Sequence, residues 1–119
     1  MVDIRRQHPP AVAWLAGLPE LPGLPGLVIM ELAEGCRDAR EVQRLLREIA
    51  AFPVYWPSPA DQARALTTFA SAHLSHRLGL LDALIGECAV GISATLCTFN
   101  LRHFQAVPQL TTEQPYIRT

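Results

Sequence analysis

The hydrophobic positions of this chain come in blocks whose spacing changes from one stretch to the next. Pro9 and Pro10 can open a short helix with Val12, Leu15 and Ala16 on one face, ending before Gly17 and Pro19. Leu18 to Gly26, with its doubled Leu-Pro-Gly, reads as turn chemistry in a loop. Leu27 to Met30 is an uninterrupted apolar run, which predicts a strand buried on both faces, with Glu31 starting a helix that bends at Gly35. Val42, Leu45, Leu46 and Ile49 recur at intervals of three and four, so a helix is expected from Asp38 to about Phe52. Val54 to Trp56 has β character. Ser58, Pro59 and Asp61 then form a helix-start signature, and that helix should run to about His76. A further helix is expected from Leu80 to about Val90, closed by Gly91, followed by a second buried strand over Thr95 to Phe99 and a tail carrying Phe104 and Tyr116.

Short apolar strands alternating with amphipathic helices predict an α/β domain with helices on both faces of a small parallel sheet. In such sheets ligands collect at the carboxyl ends of the strands, which directs attention to three polar residues. Glu31 ends the first expected strand, Asn100 ends the last, and Asp82 sits in the first turn of the intervening helix among residues that all favour the core. Each has an ordinary explanation: Glu31 and Asp82 as partners of a helix dipole, Asn100 as an N-cap. Together they form a set of hard oxygen donors suited to Mg²⁺ or Mn²⁺, ions that keep several waters and bind phosphate oxygens.

Composition narrows the classes. At 119 residues the chain is expected to form one domain over 1–119, and with half its residues hydrophobic it is not a disordered polymer. Ten basic residues, all arginine, against eleven acidic ones leave a net charge of −1, so no global positive field advertises nucleic acid and any such contact must be local. Cys36, Cys88 and Cys97 are odd in number, lack a CxxC pair and suit a reducing, cytoplasmic setting, as buried apolar fillers. Asp82 and Glu87 interrupt the longest apolar stretch, which argues against a membrane span. Arg37, Arg40, Arg44 and Arg47 form a helical stripe suited to an RNA backbone, although Glu41 and Glu48 between them favour a solvated ion-pair face. His73 and His76 are spaced for a metal but have no evident third ligand, and Tyr55, Trp56, Phe99 and Phe104 fit a core better than a base-stacking surface. The absence of a Gly-rich phosphate loop argues against a phosphotransfer domain.

The stretches Met30–Gly35, His76–Ile85 and Ala94–Phe104 resemble, in order and spacing, the successive motifs of the PIN-domain family, most closely its VapC-type toxins of bacterial toxin–antitoxin pairs. The resemblance spans about Asp3 to Tyr116. It implies a three-layer PIN-like fold, Mg²⁺-dependent (or Mn²⁺-dependent) endoribonuclease activity by metal-activated water, an RNA substrate, a cognate antitoxin and a homodimer in the cytoplasm. Carried over by motif position, Glu31 and Asp82 are the metal-binding carboxylates, and Asn100 takes the polar catalytic position after the last core strand. Family members open with a strand ending in Asp-Thr-Asn or Asp-Thr-Ser, whereas Val2 to Arg5 match the helix after it. The expectation is therefore an N-terminally truncated domain without the first strand and its aspartate, and many relatives carry an aspartate where His103 stands. The alternative is a catalytically impaired toxin that acts as an antitoxin-binding module.

Overall fold

A computed structural model gives the structure over residues 1–117. Two short helices, α1 (Val2–Arg5) and α2 (Pro9–Ala16), lead through a loop to β1 (Leu24–Pro25). Helices α3 (Gly26–Glu34) and α4 (Ala39–Glu48) carry the chain to β2 (Val54–Tyr55), which lies parallel to β1 with Leu24 opposite Val54. The long helices α5 (Pro59–Ala72) and α6 (Leu80–Gly91) follow. Then come β3 (Leu96–Cys97), a single turn α7 (Leu101–Phe104) and β4 (Thr112–Glu113), with Leu96 opposite Thr112 in a second parallel pair. The arrangement is helix-rich α/β, and the expected parallel sheet takes the form of two separate two-stranded pairs among the described residues.

The run Leu27–Met30 is helical, not a strand. It lies inside α3, and the strand expected there falls earlier, at Leu24–Pro25. Leu27 and Val28 pack on one hydrophobic cluster while Ile29, Leu32 and Ala33 pack on the other. A helix that packs on two sides produces an apolar run like that of a buried strand, here with Met30 left 58% exposed, so periodicity cannot separate them. Glu31 is consequently a mid-helix residue rather than a strand end, and Gly35 caps α3 instead of bending it. The α4 stripe is also narrower than expected: Leu45 and Ile49 are buried, but Leu46, about 100° round the helix from Leu45, is 50% exposed. The helix stops at Glu48, short of Phe52, where Pro53 disfavours helical geometry in the residue before it.

Helices α5 and α6 form the main packing layer. Ala65, Ala72 and Ala83 are buried with Leu78, Ile85, Phe104 and Val107, and small side chains there permit close helix approach. The start of α5 follows the Ser58 signature: Asp61 N–H donates to Ser58 Oγ at 3.1 Å, and Ser58 N–H donates back to Asp61 Oδ2 at 2.9 Å. Gly91 does not end α6 through a left-handed turn. No described glycine has positive φ, and that conformation falls instead on Ser93 (φ 54°). Gly91 is needed for another reason, since a Cβ there would run into the Asp61 carboxylate. Among the described residues no helix is long and apolar enough to cross a membrane.

Candidate functional site

Asp82 stands on the first turn of α6, its side chain 30% exposed, and its Oδ2 accepts a hydrogen bond from Gly79 N–H at 3.3 Å. Leu78, 2% exposed, anchors the chain just before this turn. The carboxylate thus has the helix-dipole role available to a first-turn aspartate, yet it keeps an accessible face. On α7, His103 brings its Nδ1 to 3.9 Å from the same Oδ2. Asn100 precedes α7 at the N-cap position, exposed, and its side chain makes no capping bond; its backbone N–H donates to Thr98 Oγ1 at 3.0 Å.

Glu31 is exposed on α3, and α3 packs against α6. The fold therefore joins the helices that carry Glu31 and Asp82, and joins α6 to α7, which follows Asn100. Among the described residues, however, no three side chains of His, Cys, Asp or Glu gather into a metal-holding group. The expected ligands Glu31, Asp82 and Asn100 offer hard oxygens, few in number and partly solvated. Oxygen donors of this kind, where they reach one ion, suit a divalent cation that retains most of its water and do not suit an all-protein cage.

A second polar cluster lies inside the α5–α6 layer. Glu87 is 2% exposed and Asp61 4%. Glu87 Oε2 accepts from the Thr68 hydroxyl at 2.8 Å, and Arg64 spans both acids, 2.5 Å from Asp61 Oδ1 and 3.4 Å from Glu87 Oε1. Burial alone would raise the Asp61 carboxyl; the Ser58 N–H, the Arg64 guanidinium and the Ser58 hydroxyl outweigh it and hold the group below the usual carboxylate range. This tie fixes α6, and with it Asp82, against α5. Sequence reasoning missed it, although two signals were present: Asp61, Arg64 and Thr68 share one face of α5, and Glu87 puts a carboxylate in an apolar helix toward its C-terminal end, where the helix dipole does not favour an acid.

The remaining candidates separate cleanly. His73 Nδ1 bonds to Phe69 O at 3.0 Å and His76 Nδ1 to Ser75 Oγ at 2.7 Å, local roles in keeping with the ordinary reading. On α4, Glu41 pairs with Arg37, but Glu48 pairs with Arg5 of α1, a partner far away in sequence. Phe104 is core, whereas Tyr55 and Trp56 are 39% and 56% exposed, their rings lying against Gly23 and Gly26. Of the cysteines, Cys88 is the expected buried filler and its thiol is pushed up by burial and by the charge of Asp61; Cys97 is exposed, contrary to expectation, because Leu96 takes the core-facing position of two-residue β3 and the next side chain points to the opposite face.

A PIN domain family model matches residues 1–110. Among solved structures, the chain is similar to one from a toxin-antitoxin complex of Klebsiella pneumoniae, with a TM-score of 0.75 and 22% identity over 97% of this chain and 91% of that one. No curated protein matches the sequence.

Proposed function

Because the chain belongs to the PIN domain family, we propose that it is the endoribonuclease toxin of a VapC-type toxin–antitoxin pair, with Glu31 and Asp82 as its metal-binding carboxylates and Asn100 as a catalytic polar group. The observation that carries this reading is the half-exposed Asp82 carboxylate on α6, beside His103 and on a helix packed against the one bearing Glu31. Mg²⁺, or Mn²⁺ in its place, would supply charge neutralisation at the phosphodiester and a nucleophile from water at neutral pH. Asp82 is held in place by Gly79 N–H, so its free oxygen is oriented before any ligand arrives. Asn100, with its amide unused for capping, is available to orient substrate. The chain has no global positive charge, so RNA would be held by local groups, with exposed Arg102 on α7 the nearest cation in sequence to this site.

The solved relative belongs to a toxin-antitoxin complex, which supports an antitoxin as this chain's partner. A homodimer in the cytoplasm completes the reading. The test is RNA cleavage by the purified protein across a Mg²⁺ titration, alone and with Asp82→Asn or Glu31→Gln. Cleavage that requires the metal and drops at least 100-fold in either variant is expected; cleavage that persists in Asp82→Asn overturns the assignment. A second reading, a binding module without catalysis, draws on the lack of a three-donor group among the described residues. It predicts no cleavage by the parent at any Mg²⁺ concentration together with intact antitoxin binding.

A further inference from the structure

At the carboxyl end of β3, next to Asn100, the structure has a cleft of about 300 Å³. Its lining includes Ile4 and Trp14 from the N-terminal helices, Thr98, Phe99 and Asn100 from the segment after β3, and Tyr116. Tyr116 is held there by its hydroxyl, which donates to Asp3 Oδ2 at 2.6 Å. The rings form a connected set: Phe99 meets Tyr116 edge-on at 5.0 Å, and Trp14 lies 6.5 Å from Tyr116. Among the described residues lining the cleft, no side chain is an acid, an arginine or a histidine.

We propose that this cleft is a nucleobase pocket that receives one unpaired base of the RNA strand; the proposal rests on the ribonuclease reading and adds a specificity site to it. Two features select that ligand class. Aromatic walls favour a flat π-system, as in proteins that hold single-stranded RNA by stacking bases on Trp, Tyr and Phe. The Asn100 amide sets an N–H donor group beside a carbonyl acceptor, the pattern that reads a base edge. Size agrees: about 300 Å³ is at the floor of small-ligand sites and admits one nucleoside, not a stem.

The location gives the pocket its purpose. Asn100 both lines the cleft and precedes α7, and His103 on that turn faces Asp82. A base seated against Asn100 would bring the adjoining phosphodiester toward the Asp82 carboxylate. Asn100 is then a specificity-determining residue as well as a polar group of the reaction site.

The experiment uses Trp14 as its own reporter. In the protein carrying Trp56→Phe, tryptophan fluorescence is followed during titration with uridine and adenosine monophosphates and with a short unstructured RNA, all in EDTA so that no metal contributes. Saturable quenching by the RNA and by at least one nucleotide is expected, with binding about 10-fold weaker when exposed Asn100 is changed to Ala. Quenching by RNA that Asn100→Ala leaves unchanged overturns the proposal, as does the absence of quenching. Cleavage of the same RNA in Mg²⁺ is measured in parallel. If the parent cleaves in an Asp82-dependent way but Trp14 never responds, the pocket fails and the ribonuclease reading stands. If Trp14 responds in an Asn100-dependent way while no RNA is cleaved, the base pocket stands and the catalytic reading fails.

Discussion

Replacing Glu87 isolates what the buried polar tie contributes. The carboxylate is 2% exposed and its best bond is the 2.8 Å acceptance from Thr68, itself 8% exposed. Removing one member of a fully buried charge pair costs about 3–5 kcal/mol, because the other charge is stranded. That figure is too large for this site. The Arg64 side chain is 42% exposed and keeps Asp61, so it can turn its freed N–H groups to water. What Glu87→Ala strands is the Thr68 hydroxyl, together with a void where the side chain was, for a cost of about 2–3 kcal/mol. Glu87→Gln keeps a carbonyl oxygen for Thr68 in the same volume and should cost about 1 kcal/mol. Urea unfolding at neutral pH, with midpoints compared at constant slope, measures both. The decisive quantity is the gap between the two variants. If Ala and Gln shift the midpoint equally, or Ala does not shift it, the Thr68–Glu87 bond is not what holds α6 to α5.

Three other outcomes follow from the same packing. Asp61 is held below the usual carboxylate range, so its contribution to stability is complete above the ordinary value of about 3.9 and fades as pH falls through it toward the lower folded value. Acid titration of stability should therefore be steeper below about pH 4 in the parent than in Asp61→Asn, and equal slopes would falsify the role assigned to Ser58 and Arg64. Leu45→Ala empties a position with no exposure in the second cluster and should cost about 2–5 kcal/mol by denaturant midpoint; a loss under about 1 kcal/mol would mean that this cluster does not support the fold. Gly91→Ala should cost about 1–3 kcal/mol through collision with the Asp61 carboxylate, whereas Gly35→Ala, whose Cβ would meet nothing nearer than 3.5 Å, should be neutral or stabilise by up to about 1 kcal/mol. Similar melting temperatures for these two variants would contradict the packing described at Gly91.

Local signals made most of the helices legible in the sequence. The Ser58–Pro59–Asp61 start, the α4 stripe on Leu45 and Ile49, and the apolar body of α6 each depend on residues within a few positions of one another. The nature of the Leu27–Met30 run, by contrast, depended on what covers it. Two clusters enclose α3, and nothing in the run itself says whether its two buried sides belong to a helix or a strand. The candidate site divides along the same line. Asp82 was visible as a carboxylate among core residues, and Asn100 as a polar residue after an apolar run. His103 beside Asp82, and the ring of Tyr116 brought by Asp3 to the cleft at Asn100, join residues distant along the chain.

The sequence by itself therefore determined which segments are helical at their capped ends, which residues carry oxygen donors, and the order in which the family's motifs appear. Tertiary structure alone decided the partners: that Glu87 would be satisfied by Thr68 and Arg64, that Gly91 would be the space Asp61 needs, and that β-pairing would fall into two separate parallel pairs. The reason is physical. Caps and amphipathic stripes are set by bonds and contacts within one or two helical turns. Burial, charge pairing and strand registry are set by which distant surfaces exclude water from each other, and a linear pattern does not specify that choice.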